Sequence, residues 1–496
     1  MTSTRSLALT ATLVLGATIL VAPWRPVDPD ALSHLAIGKT IVELRGVPAT
    51  DPLTFSHPQA RWSNPEWLGD LLLYLLYRVG GEPTLQIYKL LLICAGWLLA
   101  LCLAVRRGSS PAIAAALLMI ILVGAAARFA LRNELHVYWL VPVYGLVLWR
   151  SRERVRCLWL LLPLGALWAN LHGSFPVGWV LVGAALGDAL RGRDRRRVLV
   201  LLGLLAAHPL LALVSPHGIH NYGQLVDHLA NASIYRALIL EWQPPGGAGG
   251  LQQFPLHLLA LVGLLSFLPR VNRRELEALL LLVAGLALGY ASRRFLPLLG
   301  LMVVPGIAAN LTRWVREAAP RFSGFAGAGA LLVASGLLVP VVWGVRTAAP
   351  PHLLRRPDAP LRAAAFFARN APAGSRLFNP FNAGPWLLWR AVCSRRCTDG
   401  RLRIYIDPRN NLGADALERY LEVRADPARF EQEARSLAIN LVLVDLSDGR
   451  DRALGAHLDR DPTWRRELGG RRYAIYARGA ASPADRSWRR GQSRPR

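Results

Sequence analysis

Apolar runs of membrane-spanning length recur along this 496-residue chain, and they restrict its fold more than any other feature. A helix needs about 20 apolar residues to cross the hydrocarbon core of a bilayer. The hydropathy pattern therefore predicts a polytopic α-helical membrane protein with about eleven transmembrane helices. The predicted spans are 6–23, 87–105, 111–127, 136–149, 157–170, 175–190, 197–214, 255–269, 276–291, 295–311 and 324–345.

Basic residues are concentrated in short loops between these runs. Lys and Arg total 58 against 32 Asp and Glu, an excess that by itself would suit a nucleic-acid-binding protein. Arg-rich loops alternate with loops poor in Arg, however, which is the positive-inside pattern of a multi-pass membrane protein. We therefore expect no nucleic-acid partner, and we assign five loops to the cytoplasmic side: Arg106-Arg107, 150–156, 191–197, 270–275 and 313–321.

The first apolar run lacks a small-residue cleavage site before Trp24, so it is interpreted as a retained helix with a cytoplasmic N-terminus. Residues 1–345 then form the membrane domain. Its first outer loop, 24–86, is too long for a simple connector, and its amphipathic pattern predicts two helices at the outer interface. Aromatic residues of this loop suit the headgroup level of a membrane: Trp62, Trp67, Tyr74 and Tyr77.

From residue 346 the apolar runs shrink to strand length and charged residues return. Strand and helix patterns alternate there, which predicts an α/β domain over 346–478 on the outer, periplasmic side. The final stretch, 479–496, is predicted to be a disordered basic tail. The predicted strands are 376–380, 401–407, 440–446 and 471–478, and the predicted helices are 359–370, 384–392, 413–436 and 450–458.

Ionisable and polar residues gather in the loops assigned to the outer side. Such residues are costly at the ends of spans unless they are solvated or used. Each one alone is explained by an interfacial charge in water, but their recurrence in nearly every outer loop favours an outward-facing ligand cavity. The set is Asp28, Asp30, His34, Lys39, Glu66, Arg128, Arg132, Glu134, His136, His172, His217, His220, Asn221, Glu241, Arg293 and Arg294.

The stretch "VDPDALSHLAIGK" (27–39) is the most concentrated of these. If it is helical, Pro29 lies near its start, Asp30 lies in its first turn, and His34 shares a face with Asp30. Asp30 could cap that helix, act as a fixed carboxylate in catalysis, or do both. The adjacent Arg293 and Arg294 could clamp a phosphate or contact lipid headgroups.

Several classes of site are missing from the sequence. It has no Gly-rich nucleotide loop, no Walker sequence and no G-x-S-x-G motif, so no nucleotide cofactor is expected. His172, His217 and His220 lack the spacing of a structural zinc site. Cys393 and Cys397 lie in the predicted outer domain, where a disulfide between them is favoured over a metal site.

Taken in order, several segments resemble membrane glycosyltransferases of the GT-C superfamily, and more closely a group of bacterial multi-pass proteins within it. The resemblance covers most of the chain. It rests on "DALSHLAIGKTIVELRGVPATDPLTFS", "WSNPEWL", "ANLHGSF", "SPHGIHNY", "LEWQPP", "RRFLPLLGL", "FNAGPWLLWR" and "IYIDPRNNLGADALERYLEV".

This resemblance implies a transferase that moves a sugar from a polyprenyl-phosphate donor to a glycan, lipid or protein acceptor at the outer face of the bacterial inner membrane, with inversion expected. Asp30 matches the position of a general base or of a ligand to a divalent cation, Mg or Mn. Asp28 is its neighbour, and Glu66 matches a second acid. Residues expected to bind substrate are His34, Lys39, Arg128, Arg132, His172, His217, Asn221, Glu241, Arg293 and Arg294.

Two other classes of function fit parts of the pattern. A transporter or flippase for lipid-linked glycans would carry ionisable residues near the middle of its spans and an internal repeat, and neither is evident. A catalytically inactive scaffold would use the outer domain to recruit partners. The transferase is therefore favoured over both alternatives.

Overall fold

The computed structural model describes residues 4–22, 29–57, 61–246, 250–268, 276–318, 323–348, 360–409 and 412–479. The protein is mainly helical. Its helices are α1 (Thr4–Val21), α2 (Asp30–Leu44), α3 (Trp67–Arg106), α4 (Pro111–Ala125), α5 (Leu135–Arg150), α6 (Leu161–Leu171), α7 (Val177–Arg191), α8 (Arg195–Leu211), α9 (Gly223–Ala230), α10 (Ala232–Leu238), α11 (Gly250–Leu265), α12 (Leu276–Ala291), α13 (Leu296–Ala318), α14 (Ser323–Ala348), α15 (Leu361–Asn370), α16 (Gly384–Arg390), α17 (Gly413–Ala425), α18 (Pro427–Ser436) and α19 (Gly449–Leu458).

The backbone of α3 leaves helical geometry at Gly80 (φ −151°, ψ 20°) and Gly81 (φ 64°, ψ −148°). Gly81 adopts a positive φ that side-chain-bearing residues rarely take, so the break is encoded by the glycine pair. The residues before it belong to the outer loop 24–86, where two interfacial helices were expected, and the residues after it contain the span expected at 87–105. The chain forms two compact units, and one boundary between them falls at this break. The first unit comprises residues 1–26, 80–225 and 235–349, and the second comprises residues 27–79, 226–234 and 350–496.

The core of the first unit is organised around α4. This helix is apolar on all sides and almost entirely buried, as expected for a helix surrounded by others. It packs against α1, α11, α13 and α14. Gly300 on α13 allows close approach, because a Cβ at this position would lie 2.5 Å from Cγ2 of Ile121.

Three helical segments in the described residues are long and apolar enough to cross a membrane: Thr4–Val21, Trp67–Arg106 and Arg293–Ala318. This finding supports a membrane location. Shorter apolar helices, α4 and α12 among them, have 10–17 residues in the part searched, fewer than the roughly 20 that a straight span requires. The predicted number of about eleven spans is therefore not established by helix length.

Loops that the sequence assigned to one side of the membrane contact one another within the first unit. Glu277 binds Arg107 and receives a hydrogen bond from Arg152 at 2.7 Å, while Asp188 pairs with Arg152 at 3.1 Å and with Arg197 at 3.0 Å. Glu277 is almost completely buried, so these pairs neutralise a charge that would otherwise be costly. Three of the five basic loops thus share acidic partners, Glu277 and Asp188.

The second unit contains a five-stranded sheet built from β1 (Ser375–Phe378), β2 (Leu402–Ile404), β3 (Leu441–Asp445), β4 (Trp464–Gly469) and β5 (Tyr473–Arg478). Its strand order is β2-β1-β3-β5-β4. β1 runs parallel to β2 and β3, whereas β5 is antiparallel to β3 and β4. The predicted sheet-containing domain is thus present.

Residues of the first outer loop also belong to this second unit. Ala36 and Leu53 are fully buried in the same apolar core as Leu387 and Ile404. The loop also extends the sheet, because Phe55 donates its backbone N–H to the Ile404 carbonyl and Ile404 donates to Leu53, both at 3.1 Å. The division predicted from composition placed 24–86 with the membrane helices, whereas the contacts group 27–79 with the sheet.

Two details of the sheet domain differ from the prediction. The helix expected over 413–436 is two helices, α17 and α18, because Pro427 cannot continue a helix and Asp426 instead caps the second one through Ala428 N–H. Strand β4 was not predicted. Only its first residue, Trp464, is buried, and the exposed Arg465 and Arg466 that follow interrupt the apolar pattern by which a strand is predicted.

Candidate functional site

Asp30 is the first residue of α2, and Pro29 occupies the N-cap position. The predicted helix start is therefore correct, and Asp30 lies within the first turn rather than at the cap. A carboxylate there is stabilised by the partial positive charge of the helix N-terminus. Asp30 is partly exposed, whereas the neighbouring Asp28 lies outside the described residues.

His34 lies one helical turn after Asp30 and contacts a buried carboxylate. Its Nδ1 is 2.6 Å from Oδ1 of Asp70, whose side chain is 1% exposed against 15% for His34. Asn64 donates from Nδ2 to the second Asp70 oxygen at 2.7 Å. Asp70 was missing from the predicted site, although it follows Glu66 by only four residues.

The acids around His34 keep its imidazole protonated. Burial by itself lowers the pKa of His34, but the charge and hydrogen bond of Asp70, together with the charges of Glu66 and Asp30, more than offset that effect and raise the pKa to about 9. Two of the predicted acids, Asp30 and Glu66, therefore act electrostatically on the predicted His34. The protonated His34 therefore places a positive charge among these acids.

Gly38 permits the close contact between α2 and the start of α3. A Cβ on Gly38 would lie 2.2 Å from the Asp70 carbonyl oxygen and 2.6 Å from Cβ of Tyr74. No larger residue fits without moving one helix. The glycine in "HLAIGK" thus brings His34 within reach of Asp70.

Lys39, predicted to bind substrate, contacts the protein's own backbone. Its Nζ donates to the carbonyl oxygens of Cys393 and Arg395, both at 2.6 Å. Cys393 and Cys397 are joined by a disulfide. The structure therefore places Lys39 against the disulfide loop and not beside Asp30.

A second cluster of charges lies in the first unit. Arg128 pairs with both Glu134 and Glu241, and Arg132 binds the two oxygens of Glu241 at 2.9 and 3.1 Å. Arg294 lies 3.9 Å from Glu134, with its guanidinium 4.9 Å from the Trp242 ring centre. We call these five charged residues the arginine cluster.

The arginine cluster carries three cations and two carboxylates and so retains a net positive charge. Burial raises the pKa of Glu241, but Arg128, Arg132 and Arg294 more than offset this and lower it to about 2. Four of these residues were predicted to bind substrate, and Glu134 was noted only among the outer charges. The structure brings their three separate loops together.

Arg293 differs from its neighbour Arg294. Its guanidinium donates to the carbonyl oxygens of Pro244 and Gly246 at 3.2 and 3.0 Å. The backbone N–H of Arg293 donates to the Gln243 carbonyl at 3.1 Å. These contacts fasten the 243–246 segment to the start of α13. Arg293 therefore binds backbone carbonyl groups, a difference from Arg294 that the sequence does not reveal.

The remaining predicted residues lie in two other loops of the first unit. Asn221 is buried and donates to the carbonyls of Ala169 and Ala212 at 3.1 and 3.4 Å, so it joins these loops. His172 contacts the Ser174 hydroxyl at 2.8 Å, and His217 donates its backbone N–H to Ser215 at 3.3 Å. The contacts of Asn221 favour a local structural role for that residue.

The described residues contain one group of three side chains that could share a metal ion, Glu431, His457 and Asp461, in the sheet domain. Glu431 there already accepts from Trp464 at 2.9 Å and faces Arg478 at 3.7 Å. Around Asp30 the described side chains form no such group. A protonated His34 would also repel a divalent ion placed beside it.

Known structures show what this fold is similar to. An oligosaccharyltransferase from Archaeoglobus fulgidus, solved with a tethered acceptor peptide, has a TM-score of 0.63 at 12% identity, and the match covers 90% of this chain and 70% of that one. ArnT from Cupriavidus metallidurans, bound to undecaprenyl phosphate, has a TM-score of 0.53 at 14% identity, covering 97% and 99%. The arabinofuranosyltransferase AftD from Mycobacteria has a TM-score of 0.58 at 18% identity, covering 96% of this chain and 40% of that one.

No family model matches the sequence, and no curated protein matches it. Identities this low show the fold alone. The three proteins named above are glycosyltransferases of the GT-C superfamily. The resemblance found in the sequence is therefore confirmed at the level of architecture: the chain has the GT-C glycosyltransferase fold.

Proposed function

We propose that this protein is a membrane glycosyltransferase that moves a sugar from a polyprenyl-phosphate-linked donor to an acceptor hydroxyl at the outer face of the bacterial inner membrane. The observation that supports the proposal is the position of Asp30 one helical turn before the His34–Asp70 ion pair, at the start of α2, in a chain with the GT-C fold. Donor sugar and acceptor class are left to experiment.

Asp30 acts as the general base in this proposal. It takes the proton of the acceptor hydroxyl as that oxygen forms a bond to C1 of the sugar. The bond between C1 and the phosphate oxygen breaks in the same displacement, and its electron pair leaves with the polyprenyl phosphate. Attack from the face opposite the phosphate inverts the configuration at C1.

His34 supplies fixed positive charge beside the base. Its imidazolium attracts the Asp30 carboxylate and so favours the charged form that can accept a proton. The hydrogen bond to Asp70 fixes the ring, and Asn64 fixes Asp70 in turn. No step of this mechanism is assigned to a divalent cation, since the imidazolium already provides the charge.

The arginine cluster is assigned a separate task, the binding of a lipid-linked phosphate. Guanidinium groups match phosphate oxygens in shape and charge. The cluster has a net positive charge, and the side chains of Arg132 and Arg294 are about one-fifth exposed. A bound phosphate would compete with the glutamates for the exposed N–H groups.

The experiment measures sugar transfer by the purified full chain in liposomes, with a panel of polyprenyl-phosphate-linked radiolabelled sugars. We expect Asp30→Asn to lower kcat by about 100-fold or more, because a positioned base contributes that much. Asp415→Asn is the matched control, since Asp415 is an exposed aspartate in the first turn of α17. Mass spectrometry of surface glycans and lipids, with and without the gene, identifies the product.

Thermal melting followed by tryptophan fluorescence checks that both variants are folded. Undiminished transfer by folded Asp30→Asn would remove Asp30 from the mechanism. Unchanged surface glycans and lipids, together with no transfer from any donor in the panel, would contradict the proposed function as a whole.

A further inference from the structure

The disulfide loop, residues 393–398, is attached to α2 at several points. Lys39 donates to the carbonyls of Cys393 and Arg395. Glu43 Oε2 accepts from the Cys397 N–H at 2.9 Å, from the Thr398 N–H at 3.2 Å and from the Thr398 hydroxyl at 3.1 Å. A short loop thus makes five hydrogen bonds to two side chains of one helix.

These two side chains lie on the opposite face of α2 from Asp30 and His34. At 3.6 residues per turn, Lys39 and Glu43 are rotated by roughly 180° and 220° from Asp30, whereas His34 is rotated by only about 40°. The disulfide loop therefore holds the back of the helix that presents the proposed base. The face that carries His34 is contacted by Asp70 instead.

Helix α2 is confined from both sides. On the front, Gly38 packs directly on the backbone of Asp70. On the back, Ala36 is fully buried in a core with Cys393 and Cys397, and the Cys397 sulfur lies 3.6 Å from the Ala36 carbonyl oxygen. Movement at the back of the helix would alter the distance between His34 and Asp70 at the front.

We infer that the Cys393–Cys397 disulfide, acting through Lys39 and Glu43, positions α2 for sugar transfer. This inference rests on the proposed function, and it makes Lys39 and Glu43 positioning residues rather than substrate ligands. The disulfide fixes the carbonyl groups that Lys39 binds and the N–H groups that Glu43 binds in one arrangement. Without it, the loop is free to leave the helix.

The first test breaks the disulfide in the folded protein with a phosphine reductant. The phosphine takes an oxygen from water to become its oxide, and the two sulfurs become thiols. We expect hydrogen exchange at the amides of α2 to speed up and kcat for transfer to fall about tenfold or more, with KM for the donor little changed, because misplacement of a reacting group mainly affects the chemical step.

The Cys393→Ser/Cys397→Ser double variant is the matched control for the reductant. It is expected to behave like the reduced protein and to show no further response to phosphine, which excludes effects through Cys94, Cys102 and Cys157. Arg396→Ala is the control for changes in the loop itself, because Arg396 is exposed. That variant is expected to match the unmodified protein.

The second test addresses the helix directly. Glu43→Ala removes the acceptor of three hydrogen bonds, whereas Glu43→Gln keeps an acceptor oxygen. We expect Glu43→Ala to lower kcat as reduction does, and Glu43→Gln to recover most of the loss. Equal losses in both variants would contradict positioning through these hydrogen bonds.

The two readouts separate this inference from the proposed function. Unchanged exchange in α2 after reduction, or faster exchange with unchanged kcat, would overturn the inference while transfer itself stands. If the unmodified protein transfers no sugar, the proposed function fails and the positioning role for transfer fails with it. In that case the exchange data still decide whether the disulfide restrains α2.

Discussion

The guanidinium of Arg409 donates from Nη2 to Oδ2 of Asp51 at 2.9 Å, although the two residues are 358 positions apart in the chain. Arg409 also donates from Nε to Asp407 at 2.6 Å. All three side chains are at most 5% exposed. This buried group joins the first outer loop to the segment that follows β2.

Replacing Arg409 by Met should strongly destabilise the second unit. Two buried carboxylates, Asp51 and Asp407, would lose their shared cation, and breaking such a pair costs about 3–5 kcal/mol. Thermal melting and limited proteolysis of the full chain measure the loss. Arg403→Met, an exposed arginine of β2, is the control and should melt normally. Equal melting of the two variants would contradict the assigned role of Arg409.

Replacing Asp70 by Asn should remove a pH dependence of stability. The pKa of His34 is raised from 6.5 to about 9, so its stabilising contribution is complete below pH 6.5 and is lost as the pH rises through 9. Its size is on the order of 3 kcal/mol. Without the Asp70 carboxylate, His34 is expected to be neutral at pH 8.

Melting temperatures between pH 6 and 10 test this prediction. The unmodified protein should lose stability across pH 7–9, and Asp70→Asn should be less stable at pH 6 and nearly flat over that window. Glu418→Gln, at an exposed position on α17, is the control and should follow the unmodified protein. If Asp70→Asn has the same pH profile as the unmodified protein, the contact between His34 and Asp70 does not cause the loss of stability across pH 7–9.

Arg293 and Arg294 should respond differently to the same substitution. Arg294→Gln removes a partly exposed cation of the arginine cluster, and we expect KM for the lipid-linked donor to rise about tenfold, the loss of one charge-assisted hydrogen bond. Arg293→Gln disrupts bonds to the Pro244 and Gly246 carbonyls and should lower stability by about 1–2 kcal/mol. Donor titration and melting of both variants separate the two effects. A loss of stability in Arg294→Gln with an unchanged KM would exclude Arg294 as a phosphate contact.

Chelation should leave transfer intact. The described side chains around Asp30 form no three-ligand group, and protonated His34 disfavours a neighbouring cation. Activity is measured after dialysis against EDTA and again after adding Mg²⁺ or Mn²⁺. Loss in EDTA with recovery on adding either ion would show that Asp30 serves as a metal ligand instead of the base.

The sequence predicted most local structure in the sheet domain, because strands there are short apolar runs bounded by turn residues. β3 and β5 lie within their predicted ranges, and α15 and α19 begin and end close to theirs. The start of α2 at Asp30 was also predicted, since proline followed by an acid is a local signal. These features depend on neighbouring residues.

Contacts between distant segments could not be predicted in the same way. Asp70 lies in an amphipathic helix, where an aspartate is ordinarily solvent-exposed, and only packing at Gly38 brings it to His34. Lys39 looked like a ligand because its partners, the Cys393 and Arg395 carbonyls, are backbone groups without a sequence signal. Arg293 and Arg294 looked equivalent for the same reason.

The strand-like contact of residues 53–55 with Ile404 also determines how the sheet domain can be studied by itself. A fragment that begins at residue 360 would expose the open edge of β2 and lose Ala36 and Leu53 from its core, and such an edge pairs readily with other chains. A fragment of this kind is expected to aggregate. Supplying residues 29–57 as a separate peptide, or joining them by a linker, would give the edge its natural cover.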